Sequence, residues 1–456
     1  MKKYLKISAF TLAAAALTAC GANNEAADNN GADANEGNGN NDNNAANEVD
    51  EDLDGAEDAE VEEIGDADAE VELTFWLFGA TGYDELAEEY VEENPDVNIT
   101  FQEIEMEDHH NNLFTALSAG SGAPDLALIE ESDIDNYKEA EDRFVDLNEL
   151  GAEEIADDYL DWSWENAQNV DGDFQFGIPT DIGPTVMYYR QDVFEDAGLP
   201  TDPDEVEAEI ETWEDYREVG AQVVEETGTP MADNPESVFN AKRDQADESY
   251  FNEDDELIID ESPVRAAFFD TAEMTEEDII GGLGHWTPEW SDGMNTGAYA
   301  TLLGPAWMQG NLKDNAPDEE NWRIAAMPEG AGNWGGSYLT IPDQTEHAEE
   351  AYDFASWLLA PEQQLKSYEM MGLFPSTLDT YEMDEFTDSS DDYFGGQNTA
   401  EIFAEAAQNV DYVYKGPDYG DVNEEIIEGL FNVYDGVDPE DEWEDIKQRV
   451  EQRISR

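Results

Sequence analysis

Acidic side chains outnumber basic ones by 116 to 18 in this 456-residue chain, a formal net charge of −98. A carboxylate is almost never fully buried unless it is paired, and 18 bases leave most of these acids without a partner. Any fold must therefore turn a carboxylate-rich surface outward and build its interior from the remaining apolar side chains. Hydrophobic residues make up 40% of the chain and aromatics 11%, enough for sizeable cores. At ordinary ionic strength such a surface repels itself and weakens the compact state. At ~1 M salt the Debye length falls to ~3 Å and the repulsion is screened, so the composition points to a source living in high salt. Nucleic acid is excluded as a partner, because binding it needs clustered Lys and Arg, and anionic lipid headgroups are excluded on the same ground. Because acidity is general here, no single Asp or Glu is a site candidate by type alone.

The N-terminus reads MKKYLKISAFTLAAAALTAC. Lys2, Lys3 and Lys6 precede an apolar run from Ile7 to Leu17, the pattern of a secretory signal and too short to span a bilayer as a mature helix. Its end, Leu17-Thr18-Ala19-Cys20, resembles a bacterial lipobox, in which the cysteine is lipidated and becomes the new N-terminus. Residues 1–19 are thus expected to be a signal peptide and Cys20 a lipidation site, anchoring the protein at the extracytoplasmic face of the cell membrane. Cys20 is the only cysteine, so no disulfide forms within one chain. Residues 21–70 carry 18 acids, no bases and almost no large apolar side chains. Such a segment cannot offset its chain entropy by burial, and residues 20–70 are expected to be a lipidated, disordered acidic tether. No second apolar run of ~20 residues follows, so no transmembrane helix is expected.

From Val71 the texture changes. VELTFWLFGA is a strand pattern, YDELAEEYVEENPD a helix, NITFQEIEM a strand, residues 108–119 a helix and APDLALIE a further buried strand. Alternation of this kind predicts an α/β fold with a parallel sheet, whose ligands bind at the carboxyl ends of the strands. Those ends are Phe78-Gly79-Ala80 and Glu130-Glu131-Ser132. FGIPTDIGPTVMYYRQDVFEDAGLP predicts two short strands and a helix stopped by Gly198. TWEDYREVGAQVVEETG and AYDFASWLLAPEQQLKSYEMMG read as helices with Trp213 and Trp357 facing a core.

Taken in order, PDLALIE, GIPTDIGPTVMYYRQDVFEDAGL, ATLLGPAWMQGNLKD, WRIAAMPEGAGNWGGSYLTIP, HAEEAYDFASWLLAPEQQ and GLFPST resemble the extracellular solute-binding proteins, family 1, of carbohydrate ABC importers, the maltose-binding-protein-like group. The resemblance covers about residues 71–456. It implies a two-lobed periplasmic-binding-protein-like fold of type II, each lobe a mostly parallel sheet flanked by helices with a hinge between. It implies chain crossings near Gly177–Asp181, Asn333–Ser337 and Phe374–Ser376. Lobe one would be 71–178 plus 336–373, and lobe two 179–335 plus 374–456. The implied function is capture of a sugar or oligosaccharide in the interlobe cleft and its delivery to the permease subunits, with no catalytic step and no cofactor.

A sugar presents apolar C–H faces that suit an aromatic ring and hydroxyls that suit carboxylates, amides and backbone groups. On lobe two the resemblance and this chemistry together select Trp307 in GPAWMQGN, Trp334 with Gly335 and Gly336 in GNWGGS, Asp181 in PTDIGP, Phe239 and Asn240 in SVFNAKRDQ, and Phe374 at the third crossing. On lobe one they select Phe78, Tyr83, Glu131 and Ser132. Each has a structural alternative: core packing for the aromatics, a turn for Asp181, a solvated acid for Glu131. Trp286 and Trp290, in GHWTPEWSDG, could rim the cleft. Two rival functions remain open. A carbohydrate-active enzyme needs two carboxylates at a set separation, which 116 acids make untestable. A receptor for a cation or polyamine suits the charge. No metal site is expected, since HExxH and Cys/His clusters are absent.

Overall fold

The computed structural model describes residues 60–138, 140–387 and 390–455. The expected signal peptide, Cys20 and most of the expected tether lie outside the described residues. The described chain is a mixed α/β fold. Its strands are β1 (Glu60–Ile64), β2 (Val71–Leu77), β3 (Val97–Glu103), β4 (Leu126–Glu130), β5 (Gly177–Arg190), β6 (Thr301–Pro305), β7 (Trp322–Ala325), β8 (Asn333–Thr340) and β9 (Phe374–Pro375). They join in the order β1-β3-β2-β4-β8-β5-β6, with β7 and β9 also paired to β5.

The predicted βαβ pattern is present. β2, α1 (Tyr83–Glu93), β3, α2 (Met106–Ala119) and β4 follow one another, and β2 lies parallel to both β3 and β4. Parallel pairing of whole strands stops there. β8 is antiparallel to β4 and β5, and β6, β7 and β9 are antiparallel to β5. In the second half of the sheet, parallel contacts are single bridges from Ala232 to Ile280 and Thr301. The expectation of a mostly parallel sheet thus holds for β2–β4 and gives way elsewhere to antiparallel neighbours.

Two further expectations change. Part of the segment expected as tether is strand: β1 pairs antiparallel with β3 from Glu60↔Glu103 to Ile64↔Ile99. Its sequence, EVEEI, buries only Ile64, so no alternation announces it, and its exposed carboxylates guard an open sheet edge. The two short strands expected in GIPTDIGPTVMYYR are one strand, β5. Pro179 and Pro184 do not break it, because each sits at a register shift in the pairing with β8, where a missing N–H is tolerated.

Alternation along the strands sorts side chains into cores on the two faces of the sheet. Leu126 and Leu128 of β4 join a cluster with Phe75, Ile99 and Phe354, while Ala127 and Ile129 join one with Leu113 and Phe176. Farther along, Val186 and Tyr188 of β5 pack with Leu302 and Trp322, and Met187 and Tyr189 with Leu303 and Val223. The helix Trp213–Thr227 opens on a capping box between Thr212 and Asp215 and buries Trp213, Tyr216, Val219 and Val223, as its sequence spacing predicts. Trp357 is half-buried against Tyr90, with ring centroids 5.2 Å apart.

The three segments expected to cross between lobes are neighbours in the sheet. Asp181 of β5 stands opposite Ser337 of β8 on one side and Pro375 of β9 on the other. The backbones approach so closely that side chains are excluded. A Cβ on Gly183 would lie 1.9 Å from the Trp334 carbonyl oxygen, and one on Gly336, at φ +105°, 2.4 Å from the Asp181 carbonyl oxygen. Gly183→Ala is expected to cost about 1–3 kcal/mol of stability, the usual penalty for overpacking. A thermal melt against the parent protein checks this, run in ~1 M salt so that surface repulsion is screened.

Candidate functional site

Four tryptophans from three segments meet beside the crossing strands. β8 carries Trp334, and Trp307 caps the helix Met308–Asn315 just after β6. Trp290 lies in the helix Pro288–Thr296, and Trp286 in the loop before it. The Trp307 and Trp286 rings are nearly parallel, 22° apart with centroids at 6.0 Å. Trp307 meets Trp334 edge to face at 5.3 Å and donates its indole N–H to the Trp334 carbonyl at 3.2 Å. This is a favoured aromatic geometry. Trp307 and Trp334 are half-buried, and Trp286 is 59% exposed. Trp290 is buried, with its indole N–H 2.7 Å from Asp233 Oδ2, and serves as core support.

His285 lies among these rings. Its centroid is 5.3 Å from that of Trp290 and 5.4 Å from that of Trp334. Nε2 is 3.3 Å from Asp233 Oδ2 and 3.0 Å from Ser237 Oγ. Nδ1 is 3.2 Å from Glu236 Oε2, at an angle that makes the contact an ion pair without a well-formed hydrogen bond. Burial alone would lower the imidazole pKa, but the Asp233 and Glu236 carboxylates outweigh it and raise the value to about 10. The ring is an imidazolium at neutral pH.

The opposite wall is the end of β4. A Cβ on Gly335, at φ +84°, would stand 3.5 Å from Trp307 Nε1 and 3.9 Å from Glu130 Oε1. The bare glycine therefore leaves an indole and a carboxyl group facing one space. The sequence pointed to Glu131 here; the structure presents its neighbour Glu130. Ser132 donates its backbone N–H (2.7 Å) and its hydroxyl to Glu130 Oε2. Burial and then the Glu131 charge push the Glu130 carboxyl well above the usual range, against lowering by Ser132 and Lys415. Behind it His110 accepts the Glu130 backbone N–H at 3.2 Å, and Phe78 packs half-buried on the His109 and His110 rings at 5.2 and 5.3 Å. Burial lowers both imidazoles to about 4, so they are neutral. Asp181 is partly exposed beside the crossing. Desolvation raises its carboxyl to about 6, against the lowering effect of the Thr180 hydroxyl, which donates to it at 2.7 Å.

The remaining expected residues lie elsewhere. Glu131 is buried, paired with Lys415 and accepting from Asn166 Nδ2 at 3.1 Å. Lys415 and Gly416 donate their backbone N–H groups to Asp135 Oδ2 at 3.1 and 2.7 Å. Tyr83 is core, stacked on Phe75 at 6.3 Å, with a hydroxyl close enough to Asp181 to feel its charge. Phe239 and Phe374 offer no face to a ligand. Phe239 is buried with Tyr250, Phe268 and Trp443, and Phe374 with Phe386 and Phe403. Asn240 accepts from Arg243 Nη1 at 2.8 Å. Gly336 is turned into the crossing, where it packs on Asp181. A groove of about 820 Å³ lined by Asp202, Tyr381, Gln397 and Glu401 holds none of the tryptophans. Among the described residues no group of three or more His, Cys, Asp and Glu is disposed to hold a metal ion.

The profile of the bacterial extracellular solute-binding proteins matches residues 85–392. The chain belongs to this family. The arabinooligosaccharide-binding protein of Halalkalibacterium halodurans is 30% identical over 389 residues, 80% of this chain and 85% of that one. The arabinooligosaccharide-binding protein of Bacillus subtilis is 29% identical over 358 residues, 74% of this chain and 80% of that one. A crystal structure of an extracellular solute-binding protein of family 1 superposes with a TM-score of 0.82 at 35% identity, covering 84% of this chain and 99% of that one. The two-lobed binding-protein fold follows. The family name also gives an extracytoplasmic setting, and among the described residues no helix is long and apolar enough to cross a membrane.

In this solute-binding protein sequence reasoning marked Glu130 only as part of a strand end and passed over Asp233, His285 and Lys415. The last three are ionisable groups whose importance comes from burial against a distant partner. His285 had one available signal, its scarcity: only four histidines occur in the chain. Two outcomes test the geometry. Lys415→Met leaves Glu131 buried without its counter-ion, at side-chain exposures of 12% and 8% for the pair. It is expected to cost about 3–5 kcal/mol, with most of the loss recovered in Lys415→Met/Glu131→Gln, both read by urea melts. Asp181 has a folded pKa raised from 3.8 to about 6, so its contribution to stability is complete below pH 3.8 and is lost as pH rises through 6. Asp181→Asn cannot ionise. Its melting temperature is expected to climb relative to wild type across that window and to keep a constant lead above it.

Proposed function

We propose that this protein captures an oligosaccharide between its two lobes and delivers it to the permease of an ABC importer. The observation that carries this reading is the group of Trp286, Trp307 and Trp334, with the Trp307 indole edge and the Glu130 carboxyl both beside the bare backbone of Gly335. The indole faces take the C–H faces of a sugar ring. Glu130, Ser132 and Asp181 take hydroxyls, and hydrogen bonds to charged groups contribute ~1.5–3 kcal/mol each. The arabinooligosaccharide-binding relatives make an arabinose-containing oligosaccharide the first ligand to try.

Lobe one is residues 60–178 plus 336–373 and lobe two residues 179–335 plus 374–456. They close about the β5, β8 and β9 crossings, and a ligand that contacts both lobes biases the open–closed equilibrium. Lipidation at Cys20 holds the protein at the membrane, and the acidic segment gives the lobes reach toward the permease. The acidic surface suits a source in high salt.

Intrinsic tryptophan fluorescence titrated with arabinooligosaccharides, lactose and maltooligosaccharides, with spermidine and calcium as controls, tests the reading in ~1 M salt. A saturable change with one sugar class is the expected result. A response to spermidine or calcium with silence from every sugar overturns it. Trp307→Ala is expected to weaken sugar binding by about five-fold or more, the equivalent of ~1 kcal/mol for a lost aromatic contact. Its circular dichroism should stay unchanged, whereas an unfolded variant would make Trp307 a core residue.

A further inference from the structure

Trp286 is an unusual residue to find exposed. It is 59% accessible and held in the left-handed backbone region at φ +63°, a conformation strained for a non-glycine residue. Strain of this kind persists only where the surroundings over-determine it. The preceding residue supplies the constraint. His285 is 3% exposed at its side chain and is gripped on both ring nitrogens, by Asp233 and Ser237 on one edge and Glu236 on the other. Asp233 is fully buried and also accepts from the Trp290 indole and the Asn234 backbone N–H. The charged groups facing the imidazole are Asp233 and Glu236, and the other walls are the tryptophan rings. The buried cation thus ties the loop to the helix Pro235–Asp244, while its flat ring spaces Trp334 and Trp290.

We infer that His285 is a positioning residue for ligand recognition: its buried ion pairs with Asp233 and Glu236 fix the strained Trp286 as an outer aromatic face, nearly parallel to Trp307, against which the ligand stacks. The inference rests on the proposed capture of an oligosaccharide. His285 itself touches no ligand and acts through Trp286. Loss of its charge releases the loop, and the indole face is then no longer pre-set, so binding must order it again at an entropic cost.

The test is a double-mutant cycle with arabinotriose as the probe. His285→Gln and Trp286→Ala are each expected to weaken binding by about five-fold or more, and the double variant to bind no more weakly than Trp286→Ala. Above the range in which Asp181 and Glu130 titrate, wild-type affinity is expected to fall as pH approaches 10, the value to which the carboxylates raise the imidazole, while His285→Gln shows no such fall. If His285→Gln does not fold, Glu236→Gln, whose side chain is 25% exposed, is read in the same cycle. Binding within about two-fold of wild type, or losses that simply multiply in the double variant, overturn the inference. Failure of the sugar reading is distinguishable, because the indole N–H resonances of Trp286 and Trp307 need no ligand. If wild type binds no sugar, broadening of those two resonances in His285→Gln upholds the positioning role, and unchanged resonances overturn it.

Discussion

The antiparallel ladder between β5 and β8 organises the molecule. It runs from Gly177↔Thr340 to Pro184↔Asn333, and on either side of it lie the separate cores of the two halves. The same ladder delivers Asp181 and Trp334 to one place, and its irregular pairing between Pro179 and Pro184 lets one strand leave the first half of the sheet and enter the second. Regular pairing through this stretch would have made a flat continuous sheet with no cleft to close. Gly183 and Gly336 are the chemical condition for it, since any side chain there would push the two backbones apart.

Several of the scarce bases answer buried or nearly buried acids. Lys415 answers Glu131, Arg243 forms a two-pronged pair with Asp244 at 2.7 and 2.9 Å, and Arg449 and Arg453 clamp Glu425. Asp233 is answered by His285 instead. Removing one partner of a buried pair costs more than the pair contributes, so these few cations make particular packings compulsory. Most other carboxylates face solvent, where each contributes to solubility and little else.

Much of this was legible in the sequence. The patterned start of VELTFWL, the continuous apolar runs LALIE and VMYYR, and the helix stripe of Trp213, Tyr216, Val219 and Val223 all read out in the fold, because each is a local pattern dictated by burial, on one face for the helix and on both for the inner strands. Trp307 and Trp334, both singled out in the sequence, stand in contact beside the crossings. What escaped reading shares a physical cause. β1 has one buried side chain, so it carries no period. β5 looks broken by prolines unless its pairing partner is known. Glu130 ends β4 and Glu131 begins the turn after it, and their side chains take different surroundings. Which of them meets the tryptophans depends on register with β8, a property of two distant segments. Phe239 and Phe374 sit in segments that do approach the cleft, but their rings turn inward, and composition cannot distinguish the two orientations.

The pairing of aromatic faces with buried charge has a further consequence in concentrated salt. At ~1 M ionic strength the screening length is ~3 Å, so exposed carboxylates attract nothing beyond contact distance. Stacking on an indole is not screened in this way, and neither are ion pairs already sealed inside the protein. A recognition site that must work under those conditions is best built from surfaces such as Trp286 and Trp307, held by charges that solvent ions do not reach. His285 with Asp233 and Glu236, and Lys415 with Glu131, are charges of that kind. The acidic exterior and the aromatic site then answer one constraint: the exterior keeps the protein hydrated, and the indole faces add to the polar contacts an attraction that salt does not screen.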